Sequence, residues 1–358
     1  MNSNLGRREF LFNSTFAAGA LALGGPATRL KVGVAGLKHV HVNQVLKFAK
    51  IDPRVTLVAL AEDDPQNREQ IEKTHGLQVR HRSYRELLAA EDLDAVIVCE
   101  DYGHRGEAVT AALRAGKHVF CDKPLCTRLD ELATITALAA EKHLQVHVDL
   151  SLRHYWAGAA EMLRQGEIGE IVSCTYAGPH GLHYQQRPRW YFEPERHGGI
   201  INDLMGHGVD FVHWITRRPY IEVISATRAG IGLPQHPAFE TVGEASYRLE
   251  GGATAFGHVD YLVPVGHSSP WKFVITGTTG DAVLGERDGF VLRPSGGAER
   301  RQAAKELRAA SPHPFTDFVA LLTEGTAPLR TTAESLHCAR ATLVAQQAAV
   351  TEKTRLRI

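Results

Sequence analysis

Between residues 30 and 150 the chain alternates short apolar runs with stretches patterned at helical spacing, and this alternation restricts the fold more than any other feature. Residues 30–35, 55–61, 94–99, 118–121 and 144–149 are β-prone and largely apolar, as strands buried on both faces are, and 78–80 reads as a weaker strand. Helical segments separate them. In 40–49, Val42, Val45, Leu46 and Ala49 share one face. Residues 65–75 open on acids and a proline, 84–90 form a short helix, 106–115 end at Gly116, and 129–142 complete the set. Strands alternating with helices of this length specify the α/β class, a doubly wound parallel sheet.

After Ser151 the texture changes. Helical patterns cover 155–165 and 202–215. Strand-like runs occupy 171–176, 221–228, 244–249, 253–261, 272–277 and 282–285, with turn signals such as Glu250-Gly251-Gly252 between them. This predicts an α+β unit with an open, mostly antiparallel sheet, closed by helices over 315–323 and 333–351. A length of 358 residues suits about two domains, expected at 28–150 and 151–358.

Lys+Arg and Asp+Glu both number 40, so the chain lacks the basic balance of a dedicated nucleic-acid binder. At the N-terminus, Arg7-Arg8-Glu9-Phe10-Leu11 precedes an uncharged run to Gly25. That run is about 15 residues, short of the roughly 20 that span a bilayer. Paired arginines, Phe-Leu and small residues up to Ala27 predict a twin-arginine export signal over 1–27, a transient partnership with that export machinery and a periplasmic location. Cys99, Cys121, Cys126, Cys174 and Cys338 are odd in number and show no disulfide framework, as suits a chain that folds in the reducing cytoplasm before export.

Three stretches bear chemistry. The strand 118–121 ends in Asp122-Lys123-Pro124, so Lys123 falls at the carboxyl end of a strand, where open α/β sheets bind ligands. The first turn, Gly36-Leu37-Lys38-His39-Val40-His41, keeps the first glycine of a dinucleotide fingerprint but has Lys38 and His41 at the other two positions. A lysine there brings charge toward a pyrophosphate and also crowds it. Glu62 ends the second strand, where an acid accepts the adenosine ribose hydroxyls of NAD. In Gly198–Asp210, Asp203 and His207 are four apart, which on a helix gives one face, with a carboxylate placed to orient an imidazole. No compact metal-ligand spacing is assigned, so no metal is expected.

These residues together resemble the Gfo/Idh/MocA family, named for glucose–fructose oxidoreductase and inositol dehydrogenase. The resemblance rests on Asp94-Ala95-Val96-Ile97-Val98, His104 with Glu107-Ala108, Ala115-Gly116-Lys117-His118-Val119, Asp122-Lys123-Pro124, Gly166-Glu167-Ile168-Gly169 and the Gly198-Gly199 to Asp210 stretch. It implies a dinucleotide domain followed by an open-sheet domain, with Lys123 contacting nicotinamide and substrate, His207 as acid/base and Asp203 assisting it. Gly36, Leu37, Lys38, His39, Val40, Glu62, Glu100, Asp101, His104 and Lys123 would line the cofactor. Glu100-Asp101 stands where the family commonly has Thr-Pro, and Val148-Asp149 where it has Gly-His. Arg153, His180, His183 and Trp190, with Arg187 and Tyr191, are candidates for a polyol site.

The expected function is NAD(P)-dependent oxidation of a secondary hydroxyl in a sugar, sugar derivative or cyclitol. NAD is favoured over NADP, the cofactor is held tightly, and the assembly is a homo-oligomer. Two alternatives stay open: a nicotinamide-dependent lyase or glycosidase without net redox, and a non-catalytic periplasmic sugar-binding protein with a degraded cofactor loop.

Overall fold

The computed structural model describes residues 29–264, 270–285 and 289–358; the export segment expected over 1–27 lies outside them. Six parallel strands, β1 (Leu30–Ala35), β2 (Val55–Ala61), β3 (Val79–His81), β4 (Ala95–Val98), β5 (His118–Cys121) and β6 (Val146–Val148), form one sheet in the order β3-β2-β1-β4-β5-β6. This is the order of dinucleotide-binding sheets, with its reversal between β1 and β4. Helices α1 (Val42–Ile51), α2 (Pro65–His75), α3 (Tyr84–Ala90), α4 (Tyr102–Arg114) and α5 (Leu129–Glu141) make the crossovers. Their starts are set by side chains: Asp64 accepts from the amides of Gln66 and Asn67, Ser83 from Glu86, and Asp101 from His104. The Asp101 cap starts α4 a turn before the expected Gly106.

The short helices α6 (Leu152–Tyr155) and α7 (Ala157–Arg164) replace the single helix expected over 155–165, because the chain leaves helical dihedrals at the buried Trp156. The second sheet has nine strands. They are β7 (Ile171–Pro179), β8 (Tyr220–Ala229), β9 (Val242–Leu249), β10 (Thr254–Asp260), β11 (Lys272–Gly277), β12 (Gly280–Gly285), β13 (Gly289–Pro294), β14 (Arg300–Gln302) and β15 (Leu356–Arg357). Their order is β14-β13-β12-β11-β7-β10-β9-β8-β15, antiparallel except for β7 beside β10. Burial alternates strictly along β9, as in a sheet with one covered face. The sequence pattern missed β13, β14 and β15; β14 is an exposed edge of three polar residues and β15 has two residues, so neither shows alternation.

Helices α8 (Pro194–His197), α9 (Gly206–Thr216), α10 (Pro314–Glu324) and α11 (Thr332–Thr351) join the two sheets. Phe315, Phe318 and Val319 of α10 pack in one core with Val32, Val34, Ile97 and Phe120 of the parallel sheet. Helix α11 instead supplies Ala341, Val344, Ala345 and Ala348 to the core of the second sheet. The C-terminal helices thus belong to both layers and hold the carboxyl edge of the first sheet against the second unit. All five cysteines are free and buried. Among the described residues no helix is long and apolar enough to cross a membrane.

Candidate active site

The turn after β5 is pinned from beneath. Arg105, buried on α4, donates through Nη1 to the carbonyls of Asp122 (3.2 Å), Lys123 (2.5 Å) and Pro124 (3.0 Å). Its Nη2 reaches the Glu100 carbonyl at 2.8 Å and Asp122 Oδ2 at 3.0 Å. A guanidinium with so many fixed acceptors leaves the turn little freedom. Lys123 is therefore presented at the sheet edge, where its Nζ meets Asp203 Oδ1 at 2.6 Å.

Asp203 lies in a π-helical turn, Ile201–Met205, that precedes α9. Gln346 of α11 holds this turn by accepting from the amide of Ile201 at 3.0 Å. The second carboxylate oxygen, Oδ2, accepts from the hydroxyls of Tyr191 (2.8 Å) and Tyr261, with His197 Nε2 at 3.6 Å. Burial alone would raise this carboxyl's pKa. The Lys123 ammonium and His197 reverse that and hold it well below the usual carboxylate range.

Asp203 does not hold the His207 imidazole, contrary to the expected pairing. Both its oxygens are committed to Lys123 and the two phenols. Among the described residues, His207 Nδ1 is buried without a hydrogen-bond partner. Burial pushes the ring's pKa down to about 3, and the nearby charges of Lys123 and His41 act in the same direction. His207 is thus neutral and within electrostatic reach of Lys123.

The first turn has the geometry of a dinucleotide cradle. Gly36 sits at φ +80°, and a Cβ there would lie 2.7 Å from the backbone of Glu100, so only glycine fits. Glu62 is buried at the end of β2, its oxygens accepting from the amides of Leu37 (2.6 Å) and Asp64 (2.9 Å). Burial, with Asp63 beside it, raises its carboxyl to about 7. Val40 is 63% exposed next to the start of α1, but the amides of Val42, Asn43 and Gln44 already donate to the carbonyls of His39 (3.1 Å), Val40 (3.2 Å) and His41 (3.0 Å). Strand order, the glycine turn and Glu62 together fit a nicotinamide dinucleotide. Lys38 is occupied differently from the sequence expectation, its Nζ lying 2.9 Å from Asp63, 3.3 Å from Glu100 and 3.9 Å from Asp101. Its charge is spent on these acids before any pyrophosphate. Asp101 is also tied to Arg196 (2.7 Å) and His104 (2.9 Å).

The candidate substrate residues divide. Arg153 is fully buried and binds Asp210 through Nη2 at 2.7 Å and Glu334 through Nη1 at 3.0 Å. Arg330 grips the same Asp210. Arg153 is thus a structural ion-pair residue and leaves the list of substrate contacts. Trp190 is also buried, its ring 5.1 Å from that of Tyr102 and 5.6 Å from that of Tyr191, so it backs the site wall. His180 lies within electrostatic reach of Lys123, since burial and then the Lys123 charge push its pKa down to about 4. His183 stands 6.2 Å from it, ring to ring, with left-handed backbone (φ +53°). The Arg187 guanidinium lies over the Tyr191 ring at 4.2 Å.

Sequence reasoning missed Tyr261, His197, Tyr102 and Arg105, which have no local motif. It also passed over the His39-Val40-His41 spacing. His39 Nδ1 lies 2.7 Å from Asp122 Oδ2, and His41 Nδ1 lies 2.9 Å from Asp122 Oδ1.

Comparison with known proteins agrees with this architecture. Residues 30–150 match the model of an oxidoreductase family with an NAD-binding Rossmann fold, and 156–283 match a GFO/IDH/MocA C-terminal domain. Relatives include a 1,5-anhydro-D-fructose reductase of Ensifer adhaerens, 30% identical over 42% of this chain and 46% of the relative. An inositol 2-dehydrogenase of Gluconacetobacter diazotrophicus is 32% identical over 42% of this chain and 44% of its own length. The chain thus matches about half the length of these curated relatives. A levoglucosan dehydrogenase solved with NADH superposes with a TM-score of 0.77 at 17% identity, over 92% of this chain and 99% of that one, and so shares the fold. With both halves matched in order, an NAD-binding Rossmann domain followed by its characteristic partner domain, the chain belongs to the GFO/IDH/MocA oxidoreductase family.

Proposed function

We propose that this protein oxidises a secondary hydroxyl of a sugar, sugar derivative or cyclitol with a tightly held nicotinamide dinucleotide, NAD in preference to NADP. The observation that bears this reading is the buried Lys123–Asp203 pair, 2.6 Å apart at the carboxyl end of β5. The dinucleotide, when bound, supplies the hydride acceptor; the Gly36 turn and Glu62 would hold it. Asp203 keeps the Lys123 ammonium in place, and the ammonium stabilises negative charge developing on the substrate oxygen. The His207 ring is neutral, but burial and the Lys123 charge make it a weak base, so its role as proton acceptor needs its pKa to rise toward the working pH in the complex. Tyr191 and Tyr261 fix the far side of the Asp203 carboxylate, so it cannot swing away from Lys123. His180 and Arg187 face the same wall and are the polar groups left for substrate hydroxyls. Several acids surround the first turn, Asp63, Glu100 and Asp101 among them, and disfavour the extra phosphate of NADP.

Protein purified from the cytoplasm tests this. Copurification with NAD(H), reduced by a sugar and reoxidised by a second carbonyl compound, is the expected result. Recovery without nucleotide, and no binding at millimolar NAD or NADP, would favour the sugar-binding alternative. Bound cofactor with no net redox change on turnover would favour a lyase or glycosidase. The export reading, periplasmic by the twin-arginine route, belongs to the same proposal because a cofactor loaded before export must stay bound. Its test is Arg7→Lys with Arg8→Lys, expected to retain the protein in the cytoplasm; unchanged export would end that assignment. A homo-oligomer is expected by light scattering.

A further inference from the structure

Directly beneath Lys123, two histidines aim at one carboxylate. His39 and His41 come from the turn between β1 and α1, and Asp122 from the end of β5. Their three potential ligand atoms all lie within 4.8 Å of one another, and the two imidazole centroids are 4.3 Å apart, edge to face. Ligands bound at about 2.1 Å in a tetrahedron stand about 3.4 Å from each other, so the observed 2.7 and 2.9 Å separations need only a small opening to admit an ion.

We infer that His39, His41 and Asp122 form a binding site for one divalent transition metal ion of the Zn²⁺ or Co²⁺ type. Two imidazoles and a carboxylate suit such ions rather than Mg²⁺ or Ca²⁺, which take all-oxygen shells. The surroundings are those of a supported site. Tyr102 Oη lies 3.3 Å from His39 Nε2, the nitrogen that would not face the ion. The Lys123 amide donates to Asp122 Oδ1 at 2.8 Å and Arg105 to Oδ2 at 3.0 Å, which fixes the carboxylate plane. Such outer contacts orient ligands and are worth 10–100-fold in affinity. Of the two neighbouring cations, Asp203 neutralises Lys123, whereas Arg105 pairs with Asp122 itself, so an ion would share that carboxylate with the guanidinium. His41 is the accessible member, with 34% of its side chain exposed, while His39 and Asp122 are buried. Asp149 and His313, 3.5 Å apart and buried, lie within electrostatic reach of His41. Three protein ligands and an accessible side are the pattern of a metal centre that keeps a position for water or substrate. The site does not depend on the redox reading of Lys123.

The test uses tag-free full-length protein, stripped with a chelator and titrated with Co²⁺. The expected result is one equivalent bound at micromolar or lower Kd, with visible d–d bands, and displacement by Zn²⁺. His41→Ala should weaken binding by at least about 100-fold and abolish the bands, whereas the exposed-site variant His143→Ala should leave both unchanged. As a second measurement that needs no variant, one equivalent of Co²⁺ should protect His41 of the wild type from diethyl pyrocarbonate, read by peptide mass spectrometry. No stoichiometric binding below about 100 µM, undiminished binding in folded His41→Ala, or unprotected His41 in the Co²⁺-loaded protein would each overturn the assignment.

Discussion

Asp203→Asn removes the charge that Lys123 faces while keeping the shape of the side chain. The pair is removed from water, with side-chain exposures of 7% for Lys123 and 0% for Asp203, so the screening that makes surface ion pairs weak does not apply. The variant leaves a buried ammonium without its counter-ion, and the amide cannot accept from both tyrosines and the lysine at once. Breaking a buried pair in this way costs about 3–5 kcal/mol. In a chain of this size that lowers Tm by on the order of 10 °C. Scanning calorimetry at neutral pH measures it, with Lys123→Met as the partner in a double-mutant cycle. The double variant should be less destabilised than Asp203→Asn alone, because it buries no unpaired charge. The pH dependence follows from the sign of the shift. Asp203 has a folded pKa below its unfolded value of about 3.9, so its contribution is complete above that value and is lost as pH falls through the folded pKa. The gap between wild type and Asp203→Asn should therefore be flat from neutral pH to about pH 5 and narrow below about pH 4. A loss under about 1 kcal/mol, the worth of an exposed pair, or single-variant losses that simply add in the double, would refute the reasoning.

Gly36→Ala should cost about 1–3 kcal/mol and release bound nucleotide, because φ is +80° and the new Cβ would meet Glu100 backbone at 2.7 Å; nucleotide content after gel filtration reads it. Asp210→Asn should destabilise by about 3–5 kcal/mol, since it strands the buried Arg153 and Arg330, yet leave KM unchanged in whatever protein folds. Lys123→Ala should lower kcat by at least about 10²-fold, the usual effect of deleting a charge aimed at a developing oxyanion, measured against stability by calorimetry.

The parallel sheet was legible because its strands are buried on both faces and so announce themselves as apolar runs between caps. Asp64, Ser83 and Gly116 mark their helix ends by local chemistry that needs no distant partner. The nine-stranded sheet was legible where alternation is strict, as in β9, and illegible in β14, whose three residues are all exposed. Lys123 was found for the same local reason, since a proline stops its strand and leaves it at the sheet edge.

What a side chain touches was another matter, because that is set by residues far away in the chain. Arg153 looked like a sugar contact beside aromatic and histidine residues, but Asp210 and Glu334, 57 and 181 positions away, claim it inside the protein. Asp203 looked like the partner of His207 from four-residue spacing, but a π turn held by Gln346 delivers it to Lys123, Tyr191 and Tyr261 instead. Lys38 carried the right charge for a pyrophosphate, and three acids from other strand ends had already taken it. The sequence by itself determined most of the elements, their order and the strand end that bears Lys123, because propensity, burial period and capping act over a few residues. Only the tertiary structure decided which charges pair, because a buried ion takes whichever counter-charge the fold brings within hydrogen-bond reach, at any distance along the chain.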